Sequence, residues 1–332
     1  AQRATSASSL TSSAYNTMDR WHLALSSLGT WTQSQSSDVP TGQGFAKSMK
    51  LDCTTADASP SSGDAMILQT RIEGQMLQYL KKGTSSAEST TMSFWVKSNK
   101  TGTYICELRD NDNSRQISKS YTISSADTWE KKEITFAGDT TGAFDNDNAK
   151  SLEIEFWLGA GTDYTSGSLA TSWASATNAN KAVGQVNLAD STSNEWYITG
   201  VQLEAGTAAS DFEFLPTDVN LQRCQRYYFQ HTSGTGKTVG LGAFYTTTSV
   251  DSVIYFPVEM RSSPSIVATS GSGYYTVYVA GAGRAIDGSL SVNRVNKQST
   301  QFYAEAASDT AGRAGLWTTT NSSASIAFNS EL

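Results

Sequence analysis

Residues 91–98, TMSFWVKS, alternate along their length: Met92, Phe94 and Val96 fall on one side of an extended chain, Ser93, Trp95 and Lys97 on the other. Alternation with a period of two, rich in aromatic and β-branched residues, predicts a strand with one buried face. Residues 151–161, SLEIEFWLGAG, repeat the arrangement, with Leu152, Ile154, Phe156 and Leu158 opposed to Glu153, Glu155 and Trp157. Each stretch carries a tryptophan among its polar positions. The pattern points to a sandwich whose outer face has a task.

Trp21, Leu23 and Leu25 predict another strand, with residues 30–36 as its hairpin partner; residues 65–73, 103–109, 120–124, 130–136, 183–188 and 195–204 predict more. Residues 75–82 place Met76, Leu77 and Leu80 at helical spacing, enough for about two turns. Trp129 opens a strand and is expected to plug one end of the sandwich, and a bulge at Gly200 would decide which way Trp196 points. Residues 162–182 hold Tyr164 and Trp173 but few strand signals, as in long loops that are either functional or disordered. Strands recur about every ten residues in places, without crossover helices, so the fold class is all-β: a jelly-roll β-sandwich over residues 1–215. Pro216 halts it, and Thr217 or Asp218 caps a short helix in a connector over residues 216–228. Residues 229–332 alternate again and predict a smaller C-terminal β-domain.

Composition agrees with this reading. Only 17% of the 332 residues are charged, while Gly, Ser and Thr are plentiful. A net charge of -7 argues against a nucleic-acid partner, which needs clustered Lys and Arg. No apolar run is long enough for a membrane span, so no membrane insertion is expected. Cys53, Cys106 and Cys224 cannot all pair and match no zinc spacing; they read as buried thiols of a protein made in a reducing cytosol. The chain opens at Ala1 inside a polar phrase, so an upstream segment is expected to be missing.

Several phrases occur in a fixed order: YNTMDRW (15–21), RIEGQMLQYL (71–80), TMSFWVKS, SYTISSADTWEKKEITFAGDTTG (120–142), YITGVQLEAGTAASDFEFLP (197–216) and LQRCQRYY (221–228). Together they resemble tail-fibre and appendage proteins of tailed bacteriophages, especially those with a jelly roll similar to carbohydrate-binding modules. VIYFPVEMRSSPSI (253–266) is similar to the small β-domain that follows RYY in such proteins. The resemblance implies a virion structural protein on the particle surface, assembled in the host cytoplasm, homotrimeric, in contact with capsid or tail proteins and binding host-surface glycans. It also implies that the family's opening strand lies ahead of Ala1.

For catalysis the sequence offers little. Its two histidines, His22 and His231, suggest no Ser-His-Asp arrangement. Glu153 and Glu155 share a strand face at a spacing that glycoside hydrolysis could use, yet acidic residues on a solvated sheet face are ordinary. A non-enzymatic protein is expected, with no cofactor and no catalytic residues. For binding, sugar rings stack on flat aromatic surfaces while amides and carboxylates take their hydroxyls. Trp95 and Trp157 are the candidate platforms, with Glu155, Lys97 and Gln202 as hydrogen-bonding partners if the strands are neighbours, and Trp173 as an independent contact. The alternative places both tryptophans under a loop or against a second subunit. Two DNDN turns offer Asp110, Asp112, Asp145 and Asp147 as ligands for a structural Ca²⁺, or else are tight turns held by local hydrogen bonds. The functional alternatives are a purely structural capsid decoration or adaptor protein and a polysaccharide depolymerase.

Overall fold

The computed structural model describes every residue except Ala1 and Asp287. The chain divides into two compact units, residues 3–214 and 215–331. The first is all-β: β1 (Ser6–Ala14), β2 (His22–Ser36), β3 (Ser48–Thr55), β4 (Ala65–Glu73), β5 (Thr90–Ser98), β6 (Gly102–Asp110), β7 (Arg115–Ile123), β8 (Glu130–Phe136), β9 (Lys150–Ala160), β10 (Ala174–Ser175) and β11 (Glu195–Ala205). They hydrogen-bond in the order β10-β7-β6-β9-β4-β2-β3-β11-β5-β8, with β1 on β2.

One strand turns this continuous ribbon into a sandwich. The first half of β2 pairs with β4 and its second half with β3. Between the halves, Ser27 and Gly29 adopt positive φ (52° and 72°) and bend the strand from one layer into the other. Residues 22–36 are therefore a single bent strand, where the sequence predicts a hairpin. The layers meet over an aromatic core: Phe94 of β5 lies edge-on to Phe156 of β9 at 5.0 Å, and Trp196 of β11 is 6.2 Å from Phe156. Truncating a ring so enclosed costs about 3–5 kcal/mol.

β1 carries almost no apolar alternation, SASSLTSSA, and is not predicted as a strand. It pairs with β2 through three register shifts, with Ser9 at φ 57°. Residues 75–82 form two 3₁₀ turns, Gly74–Met76 and Gln78–Leu80, rather than an α-helix. Only Leu77 and Leu80 of this stretch's apolar residues are buried, a three-residue spacing that matches the 3₁₀ repeat. The bulge at Gly200 is present: the β11–β5 register shifts between Thr199 and Gln202. Trp196 and Ile198 before it, and Val201 and Leu203 after it, pack on the same core. Trp129 does not plug the sandwich. It lies beside Tyr197 on the outer side of the β5 layer, donating from Nε1 to Asp38 Oδ1 at 2.9 Å.

In the second unit a helix spans Thr217–Gln225, with Pro216 at its N-cap position. Tyr228–Ser233, Ser325–Asn329 and Ser265–Thr269 form a three-stranded sheet, and the other strands form a seven-stranded one. Trp317 and Phe302 pack at 4.5 Å in its core. On the outer face of the larger sheet Leu241 stands opposite Leu316, and Leu316 opposite Tyr278, all three exposed. None of the three cysteines is in a disulfide; Cys53 and Cys106 are buried and Cys224 half-buried.

Candidate functional site

The outer face of the β9 layer is built from rows that cross neighbouring strands. One row runs Ser118, Glu107, Glu155, Gln69 and His22 through β7, β6, β9, β4 and β2. A second runs Gln116, Arg109, Glu153 and Arg71. A third places Ile105, Trp157 and Ile67 side by side. The inward residues between them, Cys106, Leu108, Ile154 and Phe156, fill the core, so alternation aims these polar side chains at the opposite face.

That face is covered rather than solvated. Every residue from Ser151 to Gly159 is buried, the Glu153, Glu155 and Trp157 side included. The cover is the segment of residues 161–190, which carries α1 (Thr162–Thr165). It is pinned to the sheet: Ser118 N donates to Ala170 O at 2.7 Å, Thr177 N to Gln116 Oε1 at 3.0 Å and Val186 N to Thr103 O at 2.9 Å. Under it lies a pocket of about 430 Å³ lined by Gln69, Arg71, Arg109, Lys150, Glu153, Glu155, Trp157, Tyr164, Asn178 and Lys181, with Ile67 at one wall.

The electrostatics divide the pocket in two. Glu153 Oε1 accepts from Arg71 Nε at 2.8 Å and from Lys150 Nζ at 3.0 Å. Burial pushes this carboxyl up, but the two cations outweigh it and hold it below the ordinary Glu range. Deeper in, Glu107 and Glu155 stand opposite each other on β6 and β9 and both are pushed up: Glu107 by burial and then by Glu155, Glu155 by burial and then by Glu153. Glu107 Oε2 accepts from Trp157 Nε1 at 2.9 Å, while Glu107 Oε1 and Glu155 Oε2 are buried without a hydrogen-bond partner. Burial and the neighbouring carboxylates thus favour the neutral form of each. Lys181, on the covering segment and 5% exposed, acts on both electrostatically, yet among the described residues it makes no ion pair. Arg109 Nε and Ser118 Oγ are buried without a partner. His22, at the end of the first row, is pushed down to about 4 by burial and by Arg71, so its ring is neutral near pH 7.

The sequence-derived residues scatter over three places. Trp157 and Glu155 reach this pocket, but Trp157 is 1% exposed and edge-bound, so it is a wall and no open stacking platform. Trp95 lies elsewhere, because β5 and β9 belong to opposite layers. It lines a groove of about 420 Å³ with Phe45, Lys131, Gly200, Asp211, Phe212 and Phe214. The expected partners of Trp95 do not gather either. Lys97 pairs with Asp38, and Gln202 donates to Ser210 Oγ at 3.2 Å. Trp173 is a packing residue, its Nε1 donating to Ala137 O at 2.8 Å and Lys82 Nζ lying 5.4 Å from the ring centroid.

The DNDN residues do not fit a calcium ion, which wants six to eight oxygens. Asp110 is fully buried against Lys82 Nζ at 2.5 Å, so a cation already occupies its charge. Asp112 Oδ2 accepts from Asp145 N at 3.0 Å, and Asp147 Oδ1 from Ala149 N at 2.9 Å, which are turn-closing bonds. Among the described residues no group of three or more His, Cys, Asp and Glu could hold a metal ion. The site residues missed from sequence were Gln69, Arg71, Glu107, Arg109 and Lys181. The alternation in ICELRD and LQTRI marks the first four as outward, but only strand register shows that they meet.

No family profile and no curated protein sequence matches the chain. Solved structures are similar at a distance. The enzymatically active domain of tailspike protein 4 of bacteriophage CBA120 aligns at 18% identity and TM-score 0.32, over 56% of this chain and 19% of that one. A family 11 carbohydrate-binding module of a Clostridium thermocellum cellulosomal cellulase aligns at 12% identity and TM-score 0.30, over 62% of this chain and all of that one. A putative sugar binding protein from Bacteroides thetaiotaomicron aligns at 10% identity and TM-score 0.29, over 55% and 87%. Likenesses this distant leave the pocket's ligand to be argued from its own geometry.

Proposed function

We propose that the chain is a virion structural protein of a tailed bacteriophage, a tail fibre or head/tail appendage, whose jelly roll holds host-surface glycan beneath the segment of residues 161–190. The phage assignment is supported by the ordered phrases of the sequence. The glycan assignment is carried by one observation: buried polar atoms of Glu155 and Arg109 stand without partners at a pocket that also offers an amide, three more cations and two aromatic walls. An unmet buried polar group costs about 1–3 kcal/mol, which a ligand bearing both donors and acceptors offsets. Sugar hydroxyls are such groups.

A single sugar site binds at about millimolar strength, near -4 kcal/mol. Joining three copies would raise avidity by about two to four orders of magnitude, and the exposed Leu241–Leu316–Tyr278 row supports such an assembly. The same row favours a second reading, in which the chain is a capsid decoration protein that binds neighbours alone.

Glycan-array binding by the full chain tests the reading. Gln69→Ala and Arg109→Ala should each weaken it at least about tenfold, as expected for lost hydrogen bonds to a polar ligand, and Trp95→Ala should leave it unchanged. Loss confined to Trp95→Ala would move the site to the other layer. Immunogold labelling at the tail, rather than over the capsid, separates fibre from decoration.

A further inference from the structure

Resting on the glycan reading, we propose that the pocket selects acidic sugars, taking a ligand carboxylate against Arg109 and Lys181. Although the chain as a whole carries a net charge of -7, four cations line this pocket, against Glu153 and Glu155 and, behind them, Glu107. Arg71 and Lys150 are committed to Glu153. Arg109 and Lys181 have no ion-pair partner among the described residues; Lys181 acts electrostatically on Glu107 and Glu155, and Arg109 on Glu155. Even with the pair fully ionised, cations outnumber carboxylates across the whole pocket.

The donor geometry points the same way. Arg109 presents a buried, unpartnered Nε–H. With a neighbouring terminal N–H this edge matches the two oxygens of a carboxylate, a bidentate arrangement that a neutral hydroxyl cannot make. Lys181 supplies a second charge from the covering segment, so an anionic ligand would draw cover and sheet together. A cation held out of water without an anion is costly, and a ligand carboxylate removes that cost where a neutral sugar does not.

The test is an array of uronate- and sialate-terminated glycans beside their carboxyl-reduced and sulfated counterparts, probed with the full chain. Carboxylated glycans should bind at least about tenfold more tightly than the reduced forms, with the gap closing as salt rises. Lys181→Met should shrink the acid-to-neutral ratio, and Lys181→Arg should keep it, which separates charge from folding. Reduced forms binding as well as the acids would overturn the acid preference and leave the glycan reading standing. Preference for sulfated glycans would also overturn it, since the planar carboxylate is then not what is read. Binding to none of these glycans would remove both.

Discussion

Glu107 and Glu155 are the residues on which the pocket's chemistry turns, and their burial opposite each other has a consequence for stability. Both carboxyls are raised in the folded chain, chiefly by burial. An acid whose folded value is raised gives its full contribution below the ordinary Glu value and loses it as pH climbs through the folded value. Stability should therefore decline from about pH 4.5 upward as the unfolded chain ionises first. In Glu107→Gln the amide oxygen can still accept from Trp157 Nε1 while one of the two raised carboxyls is gone. The variant should show a flatter urea-midpoint profile between pH 5 and 8 than the native chain, and an unchanged slope would show that the pair is not the source. In the sequence these two residues looked like solvated strand positions. Nothing in CELRD or LEIEF announces that they face each other, because cross-strand register is set by the whole sheet.

At the scale of elements, strands with clean alternation were legible, and those whose parity breaks were not. β5 and β9 follow directly from TMSFWVKS and SLEIEFW. β2 misleads because its bend at Ser27–Gly29 reads as a turn, and β11 because the bulge at Gly200 inverts its faces halfway. Gly200 sits at φ 61°, and a Cβ there would meet the Phe45 ring at 2.5 Å. Gly200→Ala should cost about 1–3 kcal/mol, read as a lower urea midpoint with an unchanged slope. It should also disturb the groove beside Trp95, which the same ring lines. The covering segment escaped prediction for a different reason. Its order comes from hydrogen bonds to Gln116, Ser118 and Thr103, and such contacts leave no periodic trace.

Over the whole molecule, the two units have separate cores that share no residue. Phe94→Ala and Phe302→Ala each empty a fully buried site and should cost about 3–5 kcal/mol. Calorimetry should show each lowering a different transition, and one transition moved by both would mean that the cores melt together. The all-β class and the strand-rich second unit were legible from composition and spacing. That the candidate tryptophans lie on opposite layers was not, since it depends on where one strand folds the ribbon over. Off the path of this ribbon β1 pairs with β2 alone, and its serines and threonines and three register breaks leave it a ragged, polar margin. A regular ladder on an exposed margin invites strangers to add strands, and this one offers too few consecutive matched sites for that. The blandest stretch of the sequence is thus a poor template for strand addition by a second chain.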